Sequence, residues 1–183
     1  MAYSALKKTK GKIRSGYICQ SCTQSALSFT SNDYIIQIKN ILTRISNRLR
    51  ENYVFDFKFE RHLNNTTAEY SLNDNGTIRV KNRGYHTIDK EWRESIGKAK
   101  FVKDDKTAML KVSFFGPFYG GYNVLAIDDD YKFALVAGES LKYLWILSRE
   151  TTLPEDVKEN YLNIAQEVGY DTSKLFWIEH NSN

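Results

Sequence analysis

The feature that most restricts the fold is a series of short alternating segments separated by turn residues, from about residue 67 to residue 148. In one of them Ile78 and Val80 alternate with Arg79 and Lys81. Alternation with a period of two places one set of side chains on a buried face and the other set in water. Such strands with short links predict an antiparallel meander, and closing the meander into a barrel removes its exposed edges.

Seven strands are predicted from this pattern. They are Thr67–Leu72, Thr77–Asn82, Glu91–Phe101, Ala108–Phe115, Tyr122–Ile127, Lys132–Ala137 and Lys142–Ser148. Asn75-Gly76 supplies the positive φ that a tight hairpin turn requires. Residues 115–121 are predicted to form a hairpin lid at the barrel mouth, with Phe118 and Tyr119 at its tip facing a ligand or a membrane surface.

A single helix is predicted after the strands. Pro154 suits the first turn, and the acidic residues Glu155 and Asp156 suit the positive end of the helix dipole. Apolar residues continue at helical spacing to Val168, where Gly169 can act as the C-cap. We expect this helix to pack on the barrel, followed by a short closing strand at residues 176–178.

Charge divides the chain into two segments. Residues 1–54 hold nine Lys and Arg against two acidic residues, whereas residues 55–183 hold seventeen against twenty. A basic segment can approach phosphates or an anionic membrane surface. No recognised nucleic-acid motif accompanies the charge, so a solvated leader is the preferred interpretation and no nucleic-acid partner is expected.

The first 54 residues therefore form an atypical N-terminal segment. Residues 1–32 have no sustained period and are expected to be a tail, while 34–50 form a candidate basic amphipathic helix. No export signal, lipoprotein cysteine motif or membrane-spanning run is readable. Cys19 and Cys22 form a Cys-x-x-Cys that suits a redox pair or half of a zinc site, with an incidental thiol pair the preferred reading.

Two long motifs resemble the bacterial lipocalins of the outer-membrane, apolipoprotein D-like type. They are Val112–Asp128, followed by Tyr131, and Tyr143–Arg149. The resemblance extends from about Phe55 to Ile178. It implies an all-β fold, with an up-and-down eight-stranded barrel and a C-terminal α-helix, and an open cup that binds fatty acids, lysophospholipids or similar lipids. It also implies a location in the periplasm or the outer membrane, and no cofactor.

One family motif is missing. The Gly-x-Trp of the first strand should precede Phe55, but the first 54 residues contain no Trp. In lipocalins the Arg matching Arg149 packs across that Trp. The first strand is therefore expected to be atypical or absent, and we hypothesise that residues 1–54 derive from a frameshift, a wrong start or a fusion. A barrel open along one edge would also allow a homodimer.

Alternation and the resemblance together predict the ligand contacts. Among the inward-facing positions, the predicted contacts are Tyr70, Asn82, Val112, Phe114, Tyr122 and Trp145. Asp128, Tyr131 and Arg149 are predicted to be structural motif residues. The alternative is that the inward side chains simply fill a closed core. No metal site and no set of nucleophile, base and orienting group is readable, so a non-enzymatic carrier is expected.

Two alternatives to a carrier remain open at this point. A thiol-dependent lipocalin-type enzyme would use Cys19 and Cys22. A truncated, non-binding lipocalin would lack its first strand.

Overall fold

The computed structural model describes residues 49–55, 62–102 and 109–180. In this part of the chain nine strands and one α-helix follow one another. They are β1 (Leu49–Phe55), β2 (Leu63–Leu72), β3 (Ile78–His86), β4 (Glu91–Phe101), β5 (Met109–Phe115), β6 (Phe118–Ile127), β7 (Phe133–Ala137), β8 (Leu144–Ser148), α1 (Glu155–Val168) and β9 (Leu175–Trp177).

The strands form a closed, up-and-down barrel. Each strand from β2 to β8 pairs antiparallel with the next one along the chain, and β8 pairs with β1. Leu49 and Arg50 of β1 then pair with Ala68 and Thr67 of β2, which closes a ring of eight strands. The predicted all-β fold with eight antiparallel strands and a C-terminal helix is confirmed.

The first strand is present, which corrects the expectation that it is missing. Residues 49 and 50, predicted as the end of an amphipathic helix, lie in β1. Neighbouring strand edges override a weak local helical period, because β8 and β2 offer backbone partners to this segment. The rest of the predicted helix, the tail, Cys19 and Cys22 lie outside the described residues.

Strand β9 completes the closure of the barrel. Tyr53–Phe55 of β1 pair with Leu175–Trp177 of β9, and the Asn65 amide of β2 donates to the Glu179 carbonyl at 2.9 Å. The edge of β1 is thus shared between β2 at one end and β9 at the other. The open edge on which the homodimer prediction depended is paired in the structure.

The predicted lid is a tight hairpin. Strand β6 begins at Phe118, which pairs with Phe115, so only Gly116 and Pro117 form the turn. The hairpin predicted over residues 115–121 is present but its connection is shorter, because the glycines at 120 and 121 hid the strand pattern: both pair with β5. Its role as a lid stays a prediction. The predicted turn at Gly76 is confirmed by its φ of 74°.

The ends of α1 follow its sequence signals. Glu155 and Asp156 lie in the first turn, and Gly169 adopts a left-handed φ of 106° as the C-cap. The Gly169 amide donates to the carbonyls of Ala165 and Gln166. This geometry satisfies helix carbonyls that would otherwise lack partners. Among the described residues, no helix has the length and apolar character to cross a membrane.

Two apolar clusters lie on opposite faces of β6–β8, and the inner one extends over β2–β5. We call the outer one the helix-side core; it lies between the outer face of β6–β8 and α1. Its buried members are Ala126, Phe133, Leu135, Ala137, Leu144, Ile146, Tyr161, Ala165 and Tyr170. The inner one, the barrel interior, has the buried members Ala68, Tyr70, Ile78, Val80, Ala99, Leu110, Ala134, Val136 and Leu147.

Candidate ligand-binding site in the barrel interior

The barrel interior gathers most of the predicted ligand contacts. Tyr70, Val112, Phe114, Tyr122 and Trp145 all belong to this cluster. Successive residues of a strand point to opposite faces, so β2, β5, β6 and β8 each contribute inward side chains to this surface, β5 with both Val112 and Phe114. Eight side chains that pack here are only partly buried: Phe101, Val112, Phe114, Tyr122, Val124, Ile127, Tyr131 and Trp145.

Open space lies beside Gly120 on this inner face. Gly120 is the direct cross-strand partner of Val112, so the two share a face of the sheet. A Cβ built on Gly120 meets no heavy atom within 4 Å. By contrast, a Cβ on Gly97 of β4 would lie 2.8 Å from the ring of Phe114. The inner face is therefore tightly packed at the buried Gly97 and open at Gly120, which is exposed and lies two residues from the hairpin pair of Phe115 and Phe118.

Two tyrosines place hydroxyl groups inside the barrel. The Tyr122 hydroxyl donates to the Tyr70 hydroxyl at 3.2 Å, and the rings meet edge to face with centroids 6.1 Å apart. Trp145 stacks on Tyr143 at 6.2 Å, with 19° between the ring planes. Rings with a polar tip suit a site that must contact both an acyl chain and a more polar group.

Asn82 is the most distinctive polar group of the interior. It pairs with Ala68 on one side and Ser95 on the other, which places all three on the inner face. The Asn82 Oδ1 atom is buried and has no hydrogen-bond partner among the described residues. An acceptor left in this state is costly unless a donor satisfies it.

Polarity increases along β3 and β4 towards the mouth of the barrel. Val80 pairs with Gly97, Asn82 with Ser95, and Gly84 with Arg93. Arg93 forms ion pairs with Asp89 and with Glu91, the second at 3.1 Å. The interior is thus apolar at depth, where Ile78 and Ala99 meet, and charged at its rim.

The predicted motif residues hold the opposite end of the barrel. The Asp128 carboxylate accepts from the amides of Phe133 at 2.5 Å and Asp130 at 3.2 Å. Tyr131 has a left-handed φ of 57°, and its carbonyl accepts from Arg149 Nε at 2.7 Å. These contacts tie the β6–β7 turn to the end of β8. They support the predicted structural role of Asp128, Tyr131 and Arg149, which stays a prediction.

Three comparisons bear on this architecture. A lipocalin-like domain model matches residues 53–180. The chain belongs to the lipocalin family. It is 50% identical over 125 residues to the outer membrane lipoprotein Blc of Escherichia coli strain K12. The matched region covers 68% of this chain and 71% of the relative. The Blc of Citrobacter freundii is 51% identical over the same length, with the same coverage.

Solved lipocalin structures share the fold at low sequence identity. Lobster apocrustacyanin A1 has a TM-score of 0.65 at 14% identity and covers 85% of this lipocalin and 88% of its own chain. Insecticyanin from the tobacco hornworm Manduca sexta has a TM-score of 0.62 at 20% identity, with coverages of 77% and 81%. These likenesses extend the fold assignment beyond the bacterial relatives.

Several interior positions were not identified from the sequence. Gly97, Ala99 and Ser95 lie inside on β4, and Gly120 lies inside on β6. Their signal was alternation: Ser95, Gly97, Ala99 and Phe101 are two residues apart. This alternation is difficult to recognise because Ser, Gly and Ala are small, and hydrophobic alternation is recognised from large apolar side chains.

The described part of the chain offers no metal site. No group of three or more His, Cys, Asp or Glu side chains that could hold a metal ion occurs among these residues. A titratable pair, His86 with Asp89, lies at the mouth, where Nδ1 of His86 and Oδ2 of Asp89 are 3.0 Å apart.

Proposed function

We propose that this lipocalin carries or stores a single-chain lipid, a fatty acid or a lysophospholipid, in the barrel interior. The observation that carries the proposal is the open space beside Gly120 on a face otherwise lined by partly buried apolar side chains. An eight-stranded barrel is about the size that can hold one small ligand. Each methylene removed from water contributes about 0.8 kcal/mol before ordering costs are subtracted.

The lipid would enter tail first. Its acyl chain would lie against Phe114, Val112 and the deeper aliphatic residues, and its polar end would remain near Asn82 and the mouth. The unpartnered Asn82 Oδ1 favours a ligand that carries a hydroxyl donor. A lysophospholipid has such a donor on its glycerol, whereas an ionised fatty acid has none. Within the proposal, lysophospholipid is therefore the preferred ligand.

A carrier fits the interior better than an enzyme. Among the described residues its inward polar groups include tyrosine hydroxyls, an amide, a serine and, at the rim, an arginine, without a nucleophile and base in contact with one another. The thiol-dependent alternative rests on Cys19 and Cys22, which lie outside the described residues. Replacing both cysteines with Ser should leave lipid binding unchanged.

We also propose a location at the outer membrane or in the periplasm. The support is the name of the relatives, which are outer membrane lipoproteins in Escherichia coli and Citrobacter freundii. Fractionation of cells that express the natural gene tests this point separately from ligand binding.

Lipid titration followed by tryptophan fluorescence tests the carrier function. Trp145 packs in the interior, so we expect saturable quenching by a lysophospholipid with a bromine-labelled acyl chain. A Trp145→Phe variant should lose most of this signal, whereas Trp177→Phe should keep it, because Trp177 is exposed.

The competing outcomes are distinct. Saturable quenching that unlabelled lipid reverses in a detergent-free competition supports the carrier. Absence of saturable binding for both the lysophospholipid and a fatty acid of equal chain length overturns it. Equal affinity for the two lipids keeps the carrier but removes the preference for a hydroxyl donor.

A further inference from the structure

One outer surface of the barrel carries a concentrated positive charge. Arg79 on β3 is the direct cross-strand partner of Lys98 on β4, and Lys100 on β4 is the direct partner of Lys111 on β5. We call these four residues the basic face. Since directly opposed side chains share a face of the sheet, and Ile78 and Ala99 point inward, the basic face points outward.

The two opposed pairs are unfavourable in the free protein. Like charges directly opposite one another destabilise an antiparallel sheet. Within the described residues none of the four cations forms an ion pair; the nearest carboxylate pairing on this surface, Glu94 Oε2 with Lys81 Nζ at 3.0 Å, lies towards the mouth. An anionic partner would reduce the repulsion between these four cations.

The basic face is not a result of overall charge. Residues 55–183 hold seventeen Lys and Arg against twenty Asp and Glu, so the barrel segment is slightly acidic as a whole. Concentration of cations on one side of an acidic body creates a directional field. That field orients the barrel when it approaches an anionic surface.

Apolar and aromatic side chains accompany the cations. Ile96, on the same outer face of β4 as Lys98, is 53% exposed. The ring of Tyr119 lies under Lys100 and Lys111, with Nζ-to-centroid distances of 5.0 and 5.6 Å. Tyrosine beside lysine is the combination found where proteins meet the headgroup region of a membrane.

The β5–β6 hairpin extends this surface to an apolar tip. Phe115 and Phe118 flank its two-residue turn and are 75% and 78% exposed. Phe118 and Lys111 are contributed by the two strands of one hairpin, which places the exposed tip next to the basic face. A bilayer offers both phosphate groups and an apolar layer to such a surface.

We propose that the basic face, with Tyr119 and the hairpin tip, docks the barrel on a bilayer that contains anionic phospholipid. This inference does not depend on the ligand in the barrel interior. Cations within reach of an anionic leaflet each contribute to binding, and their contribution decreases within a Debye length, so the docking is salt-sensitive.

Co-sedimentation of the full chain with vesicles tests the docking. The vesicles are phosphatidylcholine alone or phosphatidylcholine mixed with phosphatidylglycerol. We expect binding to the mixed vesicles only, and weaker binding as salt is raised. The double variant Lys98→Gln/Lys111→Gln should lower the partition coefficient roughly 30-fold, because each cation near an anionic surface contributes about a factor of five.

A matched control separates position from net charge. Lys132→Gln/Lys142→Gln removes the same charge from residues that lie outside the basic face, and should leave the partition coefficient nearly unchanged. Equal losses in the two double variants would mean that net charge, and not the basic face, governs binding, and would overturn the proposal. So would unchanged binding of the Lys98/Lys111 variant.

Lysine footprinting locates the contact independently of the basic N-terminal segment. Acetylation of the full chain is read by mass spectrometry with and without mixed vesicles. We expect protection of Lys98 and Lys111, and unchanged labelling of Lys142 and Lys174. Protection of all lysines alike, or protection of Lys98 by a soluble polyanion but not by vesicles, contradicts the proposal.

Discussion

The helix-side core and the barrel interior share strands β6–β8 but differ in what covers them: α1 packs on the outer face, and β2–β5 face the inner one. In the helix-side core, Leu135, Leu144, Ile146 and Ala165 have no exposed surface. Partly buried apolar side chains pack against both clusters, but the inner face also has open space beside Gly120. The outer cluster is covered by α1, and the inner face is not filled at every position.

Polar groups show the same difference. In the helix-side core, the Tyr161 hydroxyl donates to the Phe133 carbonyl at 3.0 Å, and the Tyr170 hydroxyl donates to the Tyr143 carbonyl at 3.0 Å. In the interior the Tyr122 hydroxyl donates to the Tyr70 hydroxyl, but the Asn82 Oδ1 atom has no partner among the described residues, a state shared by the buried Thr67 Oγ1 and Ser113 Oγ atoms outside the two clusters. Satisfied polar groups suit a permanent contact, and an unsatisfied acceptor suits a site that awaits a donor.

Phenylalanine substitutions in the two clusters should give the largest difference. Phe133→Ala removes a ring that is 8% exposed from the helix-side core, and should lower the free energy of unfolding by about 3–5 kcal/mol. Phe114→Ala removes a partly exposed interior ring and should lower it by only about 1–2 kcal/mol while weakening lipid binding. Urea unfolding of both variants without lipid measures this. Equal losses would contradict the comparison.

Tyr170→Phe should have a smaller effect on the helix-side core. Loss of the hydroxyl removes one of the two donors to the Tyr143 carbonyl, which keeps its bond from the Gly138 amide, and should destabilise by about 1 kcal/mol at neutral pH. Burial raises the pKa of Tyr170 above its ordinary value of 10.0. The unfolded chain therefore releases this proton first, so wild-type stability is full below pH 10 and decreases as pH rises above it.

Unfolding measured from neutral to alkaline pH checks the sign. The Tyr170→Phe variant should lose stability less steeply than wild type above pH 10. A steeper or equal alkaline loss in the variant would show that other groups cause it.

Asn82→Leu should have the smallest effect on stability, and in the opposite direction. Replacing a half-buried amide whose buried oxygen lacks a partner should raise the free energy of unfolding by up to about 1 kcal/mol. The same change should weaken binding of a lysophospholipid by about tenfold and binding of a fatty acid much less. Calorimetric titration with both lipids distinguishes these effects. A stability loss together with unchanged lysophospholipid binding would remove Asn82 from the site.

Much of this architecture could be predicted from the sequence. Alternation identified seven strands, the turn at Gly76 and the inward side of β3, because large apolar residues alternate with charged ones there. The ends of α1 followed from Pro154 and Gly169. These signals are local, so one strand or turn is enough to carry them.

The remaining features depend on partners that are distant in sequence. Strand β1 was misread because its pairing with β8, β2 and β9 cannot be inferred from its own residues. The space beside Gly120 arises from how β5 and β6 are paired, and the basic face from the register of β3, β4 and β5. Each of these features depends on the register between neighbouring strands, which the sequence of one strand alone does not encode.

Filling the open space beside Gly120 tests the central claim most directly. Gly120→Leu places a side chain in the interior where a Cβ meets no atom within 4 Å, and Gly120→Ala is the small control. Lipid affinity and urea unfolding are measured on both variants. We predict that Gly120→Leu loses at least about tenfold in lysophospholipid affinity while unfolding stability stays within about 0.5 kcal/mol, and that Gly120→Ala binds nearly as wild type. Wild-type affinity in the stable Gly120→Leu variant would contradict a ligand site in the barrel interior.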